Sequence, residues 1–175
     1  MQAKKKAIFL DRDGILNKEI GDYVYRPEQL TIPPDVPAGI AKLKAAGYVL
    51  IVVTNQGGID RGIYTTEQMR SIHAAIQAGV GGLLDTIYYS PHHKSVTLSL
   101  LSKPNSMMIE KGVAKHNIDL AQSYLVGDAE RDLQAAHKVG LRAILLPTLK
   151  EQSSPLAAYV AKDFAAAVDY ILANP

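Results

Sequence analysis

Lys6-Ala7-Ile8-Phe9-Leu10-Asp11-Arg12-Asp13-Gly14-Ile15 is an apolar run that stops on two carboxylates and a glycine. An unbroken apolar run of this length reads as a strand buried on both faces, the kind found inside a parallel sheet. Asp and Gly favour turns, so the chain leaves the strand at Asp11. A turn by itself would account for Asp-Arg-Asp-Gly. However, Asp11 and Asp13 are two apart at the end of an extended segment, so their side chains can point the same way. Two carboxylates that close repel, which favours protonation of one or capture of a cation.

The same strand-then-turn pattern recurs outward from this stretch. Tyr48 to Val53 is apolar and β-branched, and Thr54-Asn55-Gln56-Gly57-Gly58 ends it. Thr86 to Tyr89, Ser123 to Val126 and Arg142 to Leu146 read as further strands, the fourth closed by Gly127-Asp128. Amphipathic helices lie between them. One starts at Asp35, with Val36, Ile40 and Leu43 at helical spacing and Gly47 as its stop. Thr65 opens the next, with Gln68 in capping-box spacing and Met69, Ile72, His73 and Ile76 as its buried stripe. Pro104 suits the first turn of a helix running to about His116, in which Met107 and Met108 fill core gaps. Ala129 to Val139 and Lys162 to Leu172 are the last two helices. Asn17 to Pro34 has no sustained period and reads as an ordered loop with room for a short hairpin. Ser90 to Ser102 also reads as a loop. Strands alternating with helices predict an α/β domain with a mainly parallel sheet.

Composition narrows the classes. A formal charge of +2 is too weak for a nucleic-acid partner, and Lys4-Lys5-Lys6 reads as a solubilising tail. Cysteine is absent, which excludes disulfides, thiolate metal sites and a cysteine nucleophile. The apolar run after the lysines is too short for a signal peptide, and no stretch reaches transmembrane length. The expectation is one domain over 1–175, cytoplasmic, with no membrane partner, monomeric or weakly dimeric.

Polar residues collect at strand ends: Asp11 and Asp13, then Thr54 and Asn55, then His92, then Asp128. In an open parallel sheet, ligands bind beyond the carboxyl ends of the strands. Phosphoryl transfer through a carboxylate needs this supply of groups. One Asp attacks phosphorus, while another protonates the leaving alkoxide and later takes a proton from water. The hard cation Mg²⁺ wants oxygen ligands, and Asp11, the backbone carbonyl of Asp13, and Asp128 offer them. Asp132, one helical turn past Asp128, can hold Asp128 or a metal-bound water from behind. Thr54 offers a hydroxyl, and Gly57 and Gly58 let the following amides turn inward. Lys103 would offset negative charge on the phosphoryl group and the nucleophile. His73 reads as a packed or rim histidine.

Together these segments resemble the haloacid dehalogenase superfamily of phosphohydrolases. Asp11-Arg12-Asp13-Gly14-Ile15 matches its first motif, Thr54-Asn55-Gln56 its second, Lys103 its lysine, and Gly127-Asp128-Ala129-Glu130-Arg131-Asp132 its last. The resemblance implies Asp11 as nucleophile and Asp13 as acid/base. Gly21-Asp22-Tyr23-Val24, Val52 to Ile59, Arg61-Gly62 and Tyr88 to His93 resemble the branch holding the D,D-heptose 1,7-bisphosphate phosphatases and the histidinol-phosphate phosphatase domain. That branch lacks a large cap, and short loops near 17–34, 57–64 and 90–102 would shape the pocket. Tyr23, Tyr25, Arg26 and Arg61 are candidates there, with Thr54, Asn55 and Lys103 against the phosphate.

Two departures stand out. The branch carries a structural zinc on cysteines and a histidine. Here Ser90 stands at the first cysteine position, His92 remains, and the later pair is missing. His92 and His93 cannot fill a four-ligand site, so no zinc is expected. The loop would then be held by Val96, Leu98 and Leu100. Ser102 also stands where the heptose enzymes place an Arg before the motif lysine. Serine cannot reproduce the two-pronged grip of a guanidinium, which weakens the case for a bisphosphate.

The expected architecture is a Rossmann-like three-layer α/β/α sandwich with a mainly parallel five-stranded sheet, order 3-2-1-4-5. The expected activity is an Mg²⁺-dependent phosphomonoesterase acting on a small phosphorylated metabolite, such as a heptose bisphosphate, through an aspartyl-phosphate. The alternatives are histidinol phosphate as substrate, or a binding protein without catalysis.

Overall fold

A computed structural model describes residues 3–148 and 151–175. Residues 1, 2, 149 and 150, part of the expected domain span, lie outside it. The strands are β1 (Ala7–Leu10), β2 (Val49–Asn55), β3 (Thr86–Ser90), β4 (Tyr124–Gly127), β5 (Arg142–Leu145) and β6 (Tyr159–Val160). They form one sheet in the order β3-β2-β1-β4-β5-β6, with every pairing parallel. The order of the first five is the expected one. The sixth strand corrects the expected count: two residues, too short to give a period, pair with Ile144 and Leu145 beyond β5.

The helices are α1 (Asp35–Ala45), α2 (Thr66–Gly79), α3 (Met107–His116), α4 (Glu130–His137) and α5 (Phe164–Ala173). Strand alternation sorts them into two layers. Ile8, Leu10, Leu50 and Val52 share a cluster with Val36 and Ile40 of α1, Ile72 and Ile76 of α2, and Phe164 and Val168 of α5. Phe9, Ile51 and Val53 point the other way, against Met108 and Ile109 of α3 and Leu133 and Ala136 of α4. Side chains of this kind each gain about 1.5–3 kcal/mol from full burial. β1 is buried throughout and β2 from Val49 to Thr54, which is why Ala7 to Leu10 and Val49 to Val53 read as unbroken apolar runs. Among the described residues there is no large cap between these elements, and no helix is long and apolar enough to cross a membrane.

Three local readings need correction. α3 starts at Met107, and Pro104 lies in the turn before it, after a cis peptide bond with Lys103. Met108 is buried as expected, but Met107 at the helix start is exposed. The 17–34 segment contains a single 3-10 turn at Pro27–Gln29 and no hairpin. Finally, Val96, Leu98 and Leu100 do not anchor the 90–102 loop; they are exposed, Leu98 at 90%. Polar bonds hold that loop instead. Ser90 Oγ and Ser102 Oγ share a hydrogen bond of 2.7 Å across its base, and the His93 amide donates to Asp60 Oδ2 at 3.2 Å.

Candidate active site

The parallel register brings the carboxyl ends of β1, β2 and β4 side by side, and the polar residues gather there. β1 stays paired with β4 through Asp11, whose amide donates to the Val126 carbonyl at 3.0 Å. The chain then turns tightly: the amides of Leu16 and Asn17 both donate to the Arg12 carbonyl, at 2.8 and 3.1 Å. Gly14 sits in this turn at φ +82°, and a Cβ there would lie 2.0 Å from Asp128 Oδ2. Glycine is needed both for the backbone conformation and for the closeness of Asp128.

Asp11, Asp128 and Asp132 are all buried, and each offers one oxygen within 4.8 Å of the others. Three carboxylates this close would repel strongly if all were ionised. Burial, then the charges of Asp11 and Asp132, push Asp128 up to about 7. Its Oδ1 is buried without a hydrogen-bond partner. A hard divalent cation with oxygen ligands fits this set, since it would cancel the repulsion and partner the orphaned oxygen. Asp132 also braces its own helix start, accepting from the Ala129 amide at 3.1 Å.

Lys103 reaches the same cluster from the turn before α3. Its Nζ lies 3.0 Å from Asp11 Oδ1 and 2.6 Å from Asp132 Oδ1, and its side chain is 1% exposed. Burial alone would lower its pKa; the two carboxylates overcome that and hold it raised, so the lysine stays charged. Asn55 fixes the lysine's backbone, donating to its carbonyl and accepting from its amide, each at 2.9 Å. The Asn55 amide, expected to face substrate, is thus engaged with the chain.

Asp13 lies beside the trio but outside it. Its carboxylate accepts from Arg12, from Asn17 Nδ2 at 3.0 Å and from Gln56 Nε2 at 3.1 Å. Gln56 also donates to Thr54 Oγ1 at 3.0 Å and accepts from Tyr64 OH at 2.7 Å. Burial raises the Tyr64 hydroxyl far above the ordinary tyrosine range, keeping it a proton donor. Tyr25 stacks on Tyr64 with ring centres 5.3 Å apart, and Tyr23 meets it edge-on at 5.5 Å. Arg61 donates to Tyr23 OH at 3.1 Å, and Arg26 lies over the Tyr25 ring. The loop residues singled out in the sequence therefore form one aromatic and cationic group at the rim. Arg12, Asn17, Gln56 and Tyr64 were not singled out. Gln56 stood in plain view inside the Thr54-Asn55-Gln56 motif and Arg12 inside the first, where a charged turn residue reads as exposed, whereas Asn17 and Tyr64 carried no periodic or charge signal pointing to Asp13.

A parallel α/β sheet with an aspartate pair after its first strand, a lysine and a closing acidic pair defines a haloacid dehalogenase-type phosphatase. A family model described as HAD-hydrolase-like matches residues 100–172. D-glycero-D-manno-heptose-1,7-bisphosphate 7-phosphatase of Thermosynechococcus vestitus is 32% identical, with 95% of each chain covered. The D-glycero-beta-D-manno-heptose-1,7-bisphosphate 7-phosphatase of Yersinia pestis is 40% identical over 74% of this chain and 73% of its own. The crystal structure of D,D-heptose 1,7-bisphosphate phosphatase from B. bronchiseptica, complexed with magnesium and phosphate, superposes with a TM-score of 0.88 at 30% identity, covering 97% and 99% of the two chains. The chain belongs to the haloacid dehalogenase superfamily, in the branch of the D,D-heptose 1,7-bisphosphate phosphatases, and lacks the cysteines of that branch's zinc site.

Proposed function

We propose that this protein hydrolyses a phosphomonoester of a small sugar, of the heptose 1,7-bisphosphate type, with Asp11 as nucleophile and Asp13 as acid/base. The observation that carries the reading is the meeting of Asp11, Asp128, Asp132 and Lys103 in one buried cluster, with Asp13 at its edge. Magnesium would be held by Asp11, Asp128 and the Asp13 carbonyl, with Asp132 behind them. When bound, the ion screens the carboxylates and the phosphoryl oxygens from each other.

The chain's own groups account for the rest. An Asp11 oxygen attacks phosphorus, the bond from phosphorus to the sugar oxygen breaks, and Asp13 gives its proton to the leaving alkoxide. Water then loses a proton to Asp13 and attacks the same phosphorus. The Asp11–phosphorus bond breaks, releasing phosphate and restoring both carboxyl groups. Lys103 offsets charge on Asp11 and on the phosphoryl oxygens, and Thr54 hydrogen-bonds the phosphoryl group. Tyr23, Tyr25 and Arg61 contact the sugar from the rim. Ser102 bonds Ser90 Oγ and the His92 carbonyl, so it supports the loop and leaves a second phosphate to rim cations.

The test is a phosphate-release screen with Mg²⁺ over sugar monophosphates, heptose and other bisphosphates, and histidinol phosphate. A sugar phosphate should be turned over best. Asp11→Asn should lower that turnover by at least about a thousand-fold, since removal of a nucleophile costs up to about 10⁶-fold. Unchanged turnover in Asp11→Asn would sink the mechanism, and preference for histidinol phosphate would overturn the substrate class.

A further inference from the structure

Arg12 is 1% exposed and ranks among the largest fully buried side chains in the protein. Its Nε lies 3.2 Å from both Asp13 oxygens, and its Nη2 donates to Asp13 Oδ1 at 2.8 Å. The same Nη2 donates to the Val24 carbonyl at 3.1 Å, while Nη1 is buried without a partner. Burying a guanidinium with one nitrogen unsatisfied is costly, and a buried ion pair as a whole contributes little net stability over well-packed apolar side chains. The placement therefore calls for a reason other than packing.

Val24 supplies one. It is itself buried, and it sits between Tyr23 and Tyr25, the residues of the 17–34 loop that pack on Tyr64 at the rim. One guanidinium thus grips a carbonyl of the substrate-facing loop and the carboxylate beside the nucleophile. The fork fixes the plane of that carboxylate, which Asn17 and Gln56 contact only singly.

We propose that Arg12 is a positioning residue that couples the 17–34 loop to Asp13, so that a seated loop aligns the acid/base with the leaving oxygen. This rests on the reading of Asp13 as acid/base. Arg12 acts through Asp13 and Val24 without touching substrate. A loop displaced from Tyr64 withdraws the Val24 carbonyl, and the guanidinium and the carboxylate turn with it.

Leaving-group dependence separates alignment of a proton donor from general damage. An alkyl sugar phosphate needs its alkoxide protonated as the bond breaks, whereas p-nitrophenyl phosphate expels a stable phenolate. The experiment measures kcat/KM, which reports the first phosphoryl transfer, on both substrates for wild type, Arg12→Met, Arg12→Lys and Asp13→Asn. General acid catalysis contributes on the order of 10²–10⁴-fold. Arg12→Met should lose about 10²-fold on the sugar phosphate and several-fold less on the aryl phosphate. Arg12→Lys keeps the buried charge but cannot fork, so it should show the same skew to a smaller degree. It carries the test should the methionine variant fail to fold. Equal proportional losses on both substrates, or no loss, would overturn the role of Arg12. If Asp13→Asn alone shows the skew, Asp13 keeps its role and the coupling is wrong. If Asp13→Asn shows none, the acid/base reading itself falls and takes the coupling with it.

Discussion

His73 lies on the inner stripe of α2, 8% exposed, edge-on to the Tyr89 ring at 6.2 Å, with its Nε2 buried and unpartnered. Burial, then the positive charge of Arg12, depress it to about 4, and Asp13 opposes them weakly. The sign follows directly. Below about 6.5 the unfolded chain takes up a proton that the folded one refuses until about pH 4, so the unfolded state binds more protons in that window. The His73 contribution to stability is therefore complete above about 6.5 and falls as the pH drops toward 4, by on the order of 3 kcal/mol at most. His73→Phe should remove this part of the acid sensitivity. Melting curves of both proteins from pH 4 to 7 would check it, and parallel curves would refute it. The helical stripe was enough to place His73 as a packed residue. Asp11, Asp13 and Asp128 were equally legible, because a carboxylate ending an apolar strand has few other reasons to be there. Arg12 was not, since a charged residue within a turn reads as exposed until the fold buries it.

Elements differ in how much of their position is local. The start of α2 is set by its own residues: Thr65 Oγ1 accepts from the Gln68 amide and Gln68 Oε1 from the Thr65 amide, both present as the spacing predicts. Thr65→Ala should cost about 1 kcal/mol, visible as a lower urea midpoint with an unchanged slope. The turn carrying Lys103 has no such local grammar. Its arrival depends on Asn55, 48 residues away, whose amide makes two hydrogen bonds to the lysine's backbone. Asn55→Ala should cost about 1–3 kcal/mol for the two bonds. It should also lower kcat more than it raises KM, because Lys103 would drift from Asp11. Steady-state kinetics checks this, and a change confined to KM would argue that Asn55 serves the substrate instead. The 90–102 loop misled for a related reason. Val96, Leu98 and Leu100 alternate as strand residues do, but their stretch pairs with no strand, so alternation buries nothing.

At the scale of the whole molecule, a parallel sheet delivers several carboxylates to one rim, and the fold must tolerate their repulsion. That tension links metal binding to stability. In the metal-free protein Asp128 keeps its proton up to about pH 7, far above its ordinary value, through burial and the charges of Asp11 and Asp132. At this one group the folded state then binds more protons than the unfolded one between about 4 and 7, so the Asp128 contribution to metal-free stability declines as the pH climbs through that window, opposite in sign to that of His73. Above about pH 7 Asp128 carries its charge, and a divalent ion gains most by binding there. Magnesium at about 100 times its dissociation constant should add about 2.7 kcal/mol, because the unfolded chain has no such cluster. For a protein of this size that is a rise in Tm of roughly 5–10 °C. Asp128→Asn removes one charge from the trio and one ligand. At pH 8 it should melt higher than wild type without metal and respond less to magnesium. Thermal melts of both proteins at pH 8, with chelator and with magnesium, decide the matter. An equal magnesium shift in the two would mean the ion binds elsewhere, and a metal-free variant no more stable than wild type would mean that repulsion among Asp11, Asp128 and Asp132 does not limit the fold.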